Sequence, residues 1–149
     1  MDRVKLAFIG VGNMGQCAHL KHYASLPDCE IVALAELRPQ LAAQVAARYG
    51  IPRVYADHQD LLAHERPDAL VCIQPFTRHG ALLTELAAAG LPLVIEKPLA
   101  SSVEQAERVV AAAAAHHTWI MVGYHKRSDP ATMRAVAEIA RLQATGELG

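Results

Sequence analysis

Two short stretches carry groups suited to chemistry. Gly10-Val11-Gly12-Asn13-Met14-Gly15 directly follows the apolar run at residues 4–9, and Glu96-Lys97-Pro98 directly follows Leu93-Val94-Ile95. Glycines so spaced, between a strand pattern and a helix pattern, make a cradle for a diphosphate. The first permits a tight turn, the second lets backbone approach the phosphates, and the third lets helix pack close to strand. The helix that follows aims its unpaired N–H groups and the positive end of its dipole at the anion. Asn13 and Met14 lie inside the loop and line it through their backbone N–H groups. Lys97 offers an amine at the end of another strand pattern. A hydride leaving a carbinol carbon needs a base for the hydroxyl proton, and a lysine serves when burial or nearby positive charge favours its neutral form. Neighbouring side chains on a strand point to opposite faces, so Glu96 is expected to anchor the loop rather than act directly. Pro98 stiffens the chain there and is a candidate for a cis peptide bond.

Glu36 closes the second strand pattern, about 20 positions after the last glycine of the loop, where an acidic residue accepts hydrogen bonds from the adenosine ribose and repels a 2′-phosphate. That favours NAD over NADP as cofactor. Arg38, two positions on, could instead pair with a 2′-phosphate, or be solvated or stacked over adenine. Gln74-Pro75-Phe76-Thr77-Arg78-His79 follows the fourth strand pattern. In open parallel sheets ligands bind beyond the carboxyl ends of the strands, where the two halves of the sheet meet. This loop is therefore expected to cover the nicotinamide half of a dinucleotide, with Gln74, Pro75 and His79 as its contacts and helix-start packing the alternative role for His79. His19 and His22 have no third ligand in view and read as exposed helix residues rather than a metal site. Trp119 and Tyr124 read as core.

These groups need a scaffold, and the pattern supplies one. Short, continuously apolar runs at residues 4–9, 30–35, 53–56, 69–73, 93–95 and 119–123 read as strands buried on both faces. Between them lie helical patterns. Leu41, Val45 and Tyr49 recur four apart before the stop Gly50-Ile51-Pro52. Leu82, Leu83, Leu86 and Ala87 form an inward stripe, and Val103, Ala106, Val110 and Ala113 another, with Ser102 and Glu104 placed to cap it. The alternation predicts an α/β fold: a doubly wound parallel sheet of Rossmann type, with six strands in order 3-2-1-4-5-6 and helices on both faces. A last helix carries Met133, Val136, Ala137 and Ala140 at one face, and the chain closes on Thr145-Gly146-Glu147-Leu148-Gly149.

Of the 149 residues 52% are hydrophobic and 19% charged, which places the chain among globular domains. With 14 basic against 15 acidic residues, it has no electrostatic footprint for nucleic acid and no polybasic patch for a membrane. No apolar stretch approaches the ~20 residues needed to span a bilayer. Cys17, Cys29 and Cys72 show no paired spacing and read as buried, reduced thiols, which points to the cytoplasm.

The loop at residues 10–15, Glu36, Pro75 with His79, Glu96-Lys97-Pro98, and residues 123–130 together resemble the Gfo/Idh/MocA oxidoreductases over essentially the whole chain. The resemblance implies a catalytic Lys97 near nicotinamide and substrate, and Arg127 as a substrate or cofactor contact. It implies a small-molecule substrate of the sugar or polyol class and a homo-oligomer when full length. Where members of the family carry Thr-Pro-Asn, this chain has Gln74-Pro75-Phe76. Residues 1–127 are expected to form the dinucleotide-binding domain, and 128–149 a helix leading toward a substrate domain absent from this chain. The missing contact predicts exposed apolar surface on the last helix. A stand-alone dinucleotide-binding module that senses redox state or regulates a partner is the alternative.

Overall fold

In the computed structural model, which describes residues 2–148, all six apolar runs are strands. They are β1 (Val4–Ile9), β2 (Cys29–Ala35), β3 (Arg53–Tyr55), β4 (Ala69–Cys72), β5 (Leu93–Ile95) and β6 (Ile120–Val122). Met1 and Gly149, the outer ends of the two expected segments, lie outside the described residues. The strands pair in parallel in the order β3-β2-β1-β4-β5-β6, as predicted.

The first connection, α1, is a π-helical turn (Gly15–Leu20) running into a single α turn (Lys21–Tyr23). The others are α2 (Pro39–Tyr49), α3 (His58–His64), α4 (His79–Ala87) and α5 (Val103–Ala115), with α6 (Pro130–Thr145) after the sheet. Each stop signal has its physical basis. Gly50 ends α2 and Gly146 ends α6 in the left-handed region that other residues avoid. Ser102 caps α5 by accepting from the Gln105 backbone N–H.

Because side chains alternate along a strand, β1 feeds two cores. Ala7 and Ile9 pack with Leu70, Leu93 and Ile95 against Leu61 of α3, Leu83 and Leu86 of α4 and Val109 of α5. Leu6 and Phe8 pack with Leu34 and Val71 against Leu20 of α1 and Ala42 and Val45 of α2. Each such leucine contributes about 1.5–3 kcal/mol by leaving water. The β1–β2 register carries one irregularity: Leu6 pairs with Ile31 but Ala7 with Ala33, leaving Val32 as an extra residue. Ile31 packs with the second core, whereas Val32 and Ala33 both pack with the first.

Several expectations need correction. On α5 the inward residues are Val109 and Ala113, while Val103 is 69% exposed and Val110 is exposed as well. The helix is so rich in alanine that its pattern has little contrast, and packing against α4 chooses the face: Gln105 presses on Gly80 so closely that a Cβ there would lie 2.7 Å from its Oε1. Trp119, at 57% exposure, and Tyr124 are not core, because β6 is an edge strand with one flank uncovered. Cys17 is exposed, Cys29 partly so and Cys72 buried; burial pushes the Cys72 thiol up to about 12. On α6 no described side chain is buried, and Met133, Val136 and Ile139 stand exposed.

Candidate functional site

The loop after β1 turns at Gly10, whose φ of +89° suits glycine alone. A Cβ there would collide with the Ile73 carbonyl and the Gln74 side chain. At Gly15 a Cβ would sit 2.9 Å from the Gly10 carbonyl oxygen, so α1 packs directly onto the turn. Gly12 is the open one: among the described residues a Cβ there would meet Arg38 Nη2 at 3.5 Å and nothing nearer, and Gly12 itself lines the cleft. Gln16 ties the turn down. Its backbone N–H donates to Gly12 O at 3.0 Å and its side-chain amide to Val11 O at 2.9 Å.

The cleft that this loop opens onto has a volume of about 700 Å³ and follows the carboxyl ends of β1 to β5, a size typical of small-molecule sites. At one end stands Glu36, whose side chain is 6% exposed. Its Oε2 accepts from the Val11 N–H at 3.1 Å; its Oε1 accepts from the Arg38 N–H at 3.1 Å. The Arg38 guanidinium forks onto the same carboxylate, with Nε 2.8 Å from Oε1 and Nη2 3.2 Å from Oε2. Burial alone would push the Glu36 carboxyl up. The hydrogen bonds from Arg38 and Val11, with the guanidinium charge, outweigh it and hold the group below its usual range. The acid is thus ionised at neutral pH, and the arginine beside it is held more firmly protonated.

At the other end Gln74, Pro75, Glu96 and Lys97 form the wall. The Lys97–Pro98 peptide is cis. Glu96 anchors the segment, as its strand parity suggested: Oε2 accepts from the Lys97 backbone N–H at 3.3 Å, and Oε1 lies 2.8 Å from His19 Nε2. His19 was expected to be solvated, but its side chain is only 14% exposed and pairs with Glu96 across the top of the sheet. The π-helical geometry of α1 buries Leu20 in the core while His19 reaches the cleft wall.

The cleft brings together Gly10, Gly12, Asn13, Met14, Gly15, Glu36, Arg38, Gln74, Pro75, Glu96 and Lys97. It does not include His79 or Arg127. His79 is fully buried, with Nδ1 2.7 Å from Pro98 O and Nε2 3.1 Å from Gln74 O, so both ring nitrogens face backbone carbonyls rather than the cleft. Arg127 lies on a 3₁₀ turn, His125–Ser128, with its guanidinium over the Tyr124 ring, 5.0 Å from the centroid. Phe76 and Arg78 of the expected loop also line the cleft, while sequence reasoning passed over Leu37, an exposed apolar side chain in its wall, and Asp57 and His58. An exposed leucine directly after the acidic strand end was the available signal. Arg78 holds Gln74 through a 3.0 Å bond from Nη1 to Oε1. The glycine contacts, the open approach at Gly12 and the ionised Glu36 at one rim are the features a dinucleotide site requires.

Comparison with known proteins gives the same picture. The family described as "Oxidoreductase family, NAD-binding Rossmann fold" (GFO_IDH_MocA) matches residues 4–124. The inositol 2-dehydrogenase of Rubrobacter xylanophilus is 32% identical over 97% of this chain and 42% of its own length. The NAD(+)-dependent scyllo-inositol 2-dehydrogenase of Bacillus subtilis is 27% identical over 99% of this chain and 42% of its own. Among solved structures, an NAD binding oxidoreductase from Klebsiella pneumoniae superposes with a TM-score of 0.79 at 31% identity, over 94% of this chain and 39% of that one. The WlbA dehydrogenase of Bordetella pertussis, in complex with NADH and UDP-GlcNAcA, superposes with a TM-score of 0.87 at 24% identity, over 95% and 40%, a likeness of fold. The chain spans 42% of the length of the first of these relatives.

Proposed function

We infer the function from one premise: the chain belongs to the Gfo/Idh/MocA oxidoreductase family, whose NAD-binding Rossmann fold it carries. It is then the nucleotide-binding part of an NAD-dependent dehydrogenase acting on a secondary alcohol of a sugar, a polyol or a similar small molecule. The observation that carries this reading is the single cleft shared by the glycine loop, Glu36 and Lys97. The names of the inositol dehydrogenases support the polyol class.

In this reading the backbone of the loop at residues 10–15 binds the diphosphate and Glu36 accepts from the adenosine ribose. Gln74, Pro75 and Glu96 border the nicotinamide, and bound nicotinamide supplies the hydride acceptor. Lys97 is the catalytic residue: its Nζ takes the hydroxyl proton as the substrate is oxidised and returns it in reduction. Arg127, outside the cleft, contacts substrate from the turn after β6. The buried, ionised Glu36 favours NAD, because it would face the extra phosphate of NADP with like charge. His79 acts through the backbone rather than on the ligand. Residues 128–149 lead toward a substrate domain, a division supported by the family match over residues 4–124 and the uncovered apolar face of α6. The longer protein is a homo-oligomer, and free thiols at all three cysteines fit the cytoplasm.

Titration of this chain with NADH is expected to give a saturable rise in nicotinamide fluorescence; none up to millimolar concentration would refute the reading. In a version extended through the substrate domain, Lys97→Ala is expected to lower turnover by orders of magnitude while NADH still binds.

A further inference from the structure

We propose that His19 and His79 are positioning residues for Lys97. They grip the Glu96-Lys97-Pro98 segment from two different helices, one through the Glu96 carboxylate and the other through the Pro98 carbonyl. The proposal rests on the dinucleotide reading above and concerns how the lysine is held against the nicotinamide end of the cleft.

The segment needs holding. The ladder between β5 and β6 ends with Gly123 N–H donating to Ile95 O at 2.9 Å, so residues 96–98 lie beyond the last strand bond. Lys97 is exposed, and the hydrogen bond it makes to Glu96 uses its backbone N–H. The place of its ammonium group is therefore set by its neighbours in the chain. Those neighbours are fixed on both sides. On the side of Glu96, His19 Nε2 lies 2.8 Å from Oε1, in a pair where both side chains are largely shielded. The His19 ring is itself held nearly parallel to the Tyr23 ring, with centroids 6.3 Å apart. On the side of Pro98, the fully buried His79 places Nδ1 2.7 Å from the carbonyl oxygen and Nε2 3.1 Å from Gln74 O. Carbonyl oxygens only accept, so the ring N–H serves whichever oxygen it faces, and a doubly protonated ring serves both.

The second grip also joins two parts of the cleft wall, since Gln74 and Lys97 both border it. The first grip joins α1, which starts at the glycine loop, to the end of β5. The two histidines thus couple the lysine to the loop proposed to hold the diphosphate and to the loop proposed to flank the ring. Imidazole suits both places: it is rigid, it reaches across a sheet edge, and it has a polar atom on each side.

The test reads Lys97 itself. The 149-residue chain is treated with an amine-acylating reagent with and without saturating NADH, and labelling is followed by peptide mass spectrometry. Lys5, Lys21 and Lys126 serve as internal references. NADH is expected to slow labelling of Lys97 and leave the references unchanged. His19→Phe, which keeps a ring against Tyr23 but cannot bond Glu96, is expected to lose most of that protection at full NADH occupancy. His19→Gln, whose amide can reach the same oxygen, is expected to restore it. His79→Gln offers an amide N–H in place of the ring but cannot face both carbonyls, and is expected to lose protection in part; should it fail to fold, the His19 pair decides. Protection of Lys97 equal to wild type in His19→Phe, or NADH bound without any protection of Lys97 in wild type, overturns the proposal. If fluorescence shows that wild type binds no NADH, the dinucleotide reading falls and this proposal with it, an outcome distinct from binding without protection.

Discussion

The two ends of the cleft are built differently. At the Glu36 end the partners lie in the two turns themselves: Glu36 is gripped by Arg38 two positions later, and its bond from Val11, 25 positions earlier, comes from the turn after the neighbouring strand. At the lysine end the partners come from helices: His19 of α1 meets Glu96 across 77 positions, and His79 of α4 meets Pro98 across 19. The Glu36 end therefore follows from two loops that adjacent parallel strands bring side by side. The lysine end exists only after α1, α4 and β5 have all been packed onto the sheet. An end of the first kind should tolerate changes in distant packing, and an end of the second kind should not.

The largest way to break the comparison is to remove the turn both ends share. Gly10→Val puts a branched side chain at positive φ and into the Ile73 carbonyl. A cost of about 3 kcal/mol is expected, which lowers the melting temperature by roughly 6–12 °C and abolishes NADH binding. Differential scanning calorimetry with an NADH titration measures both.

A smaller change separates the ends. Glu36→Gln is expected to weaken NADH about tenfold, as loss of a charge-assisted hydrogen bond does, and to weaken NADPH less, because Arg38 is released to meet the 2′-phosphate. Acid should act in the same way. The folded carboxyl is depressed, so its contribution to stability is complete above the unfolded value of about 4.3 and is lost as pH falls through the lower folded value. Melting curves from pH 6 downward should show wild type losing stability over that window and Glu36→Gln losing less.

The smallest expected effect lies outside both ends. Val136→Lys on α6 replaces an apolar side chain that is 61% exposed. Stability is expected to change by less than about 0.5 kcal/mol, while sedimentation should show weaker self-association than the parent. A large loss of stability there would mean that α6 supports the cleft after all.

The same contrast explains what could be read from the amino-acid order. Strand order, the glycine turn, the acidic residue after β2 and the cap at Ser102 depend on local pattern, and all are where that pattern places them. His19 looked solvated because its partner is 77 positions away and no periodicity signals it. Of the two roles expected for His79, the structure shows packing at the helix start, since a buried ring set between two carbonyls and a ring facing a ligand share one sequence signature. Trp119 was misjudged because edge position belongs to the assembled sheet, not to the strand that occupies it. On α5 the run of alanines hides which side faces inward.

Val32 is a residue that the ladder does not count. Ile31 shares a side with its partner Leu6, and Ala33 with its partner Ala7, so β2 regains step with β1 at once; Ala35 ends level with Ile9 and the Glu36 carboxylate meets the Val11 N–H. Deleting that one valine would join Ile31 directly to Ala33, which already pair with consecutive residues of β1, and the acid is expected to keep its place beside the glycine turn. The irregularity is one residue of slack in β2, taken up between the two cores without displacing the strand end that carries Glu36.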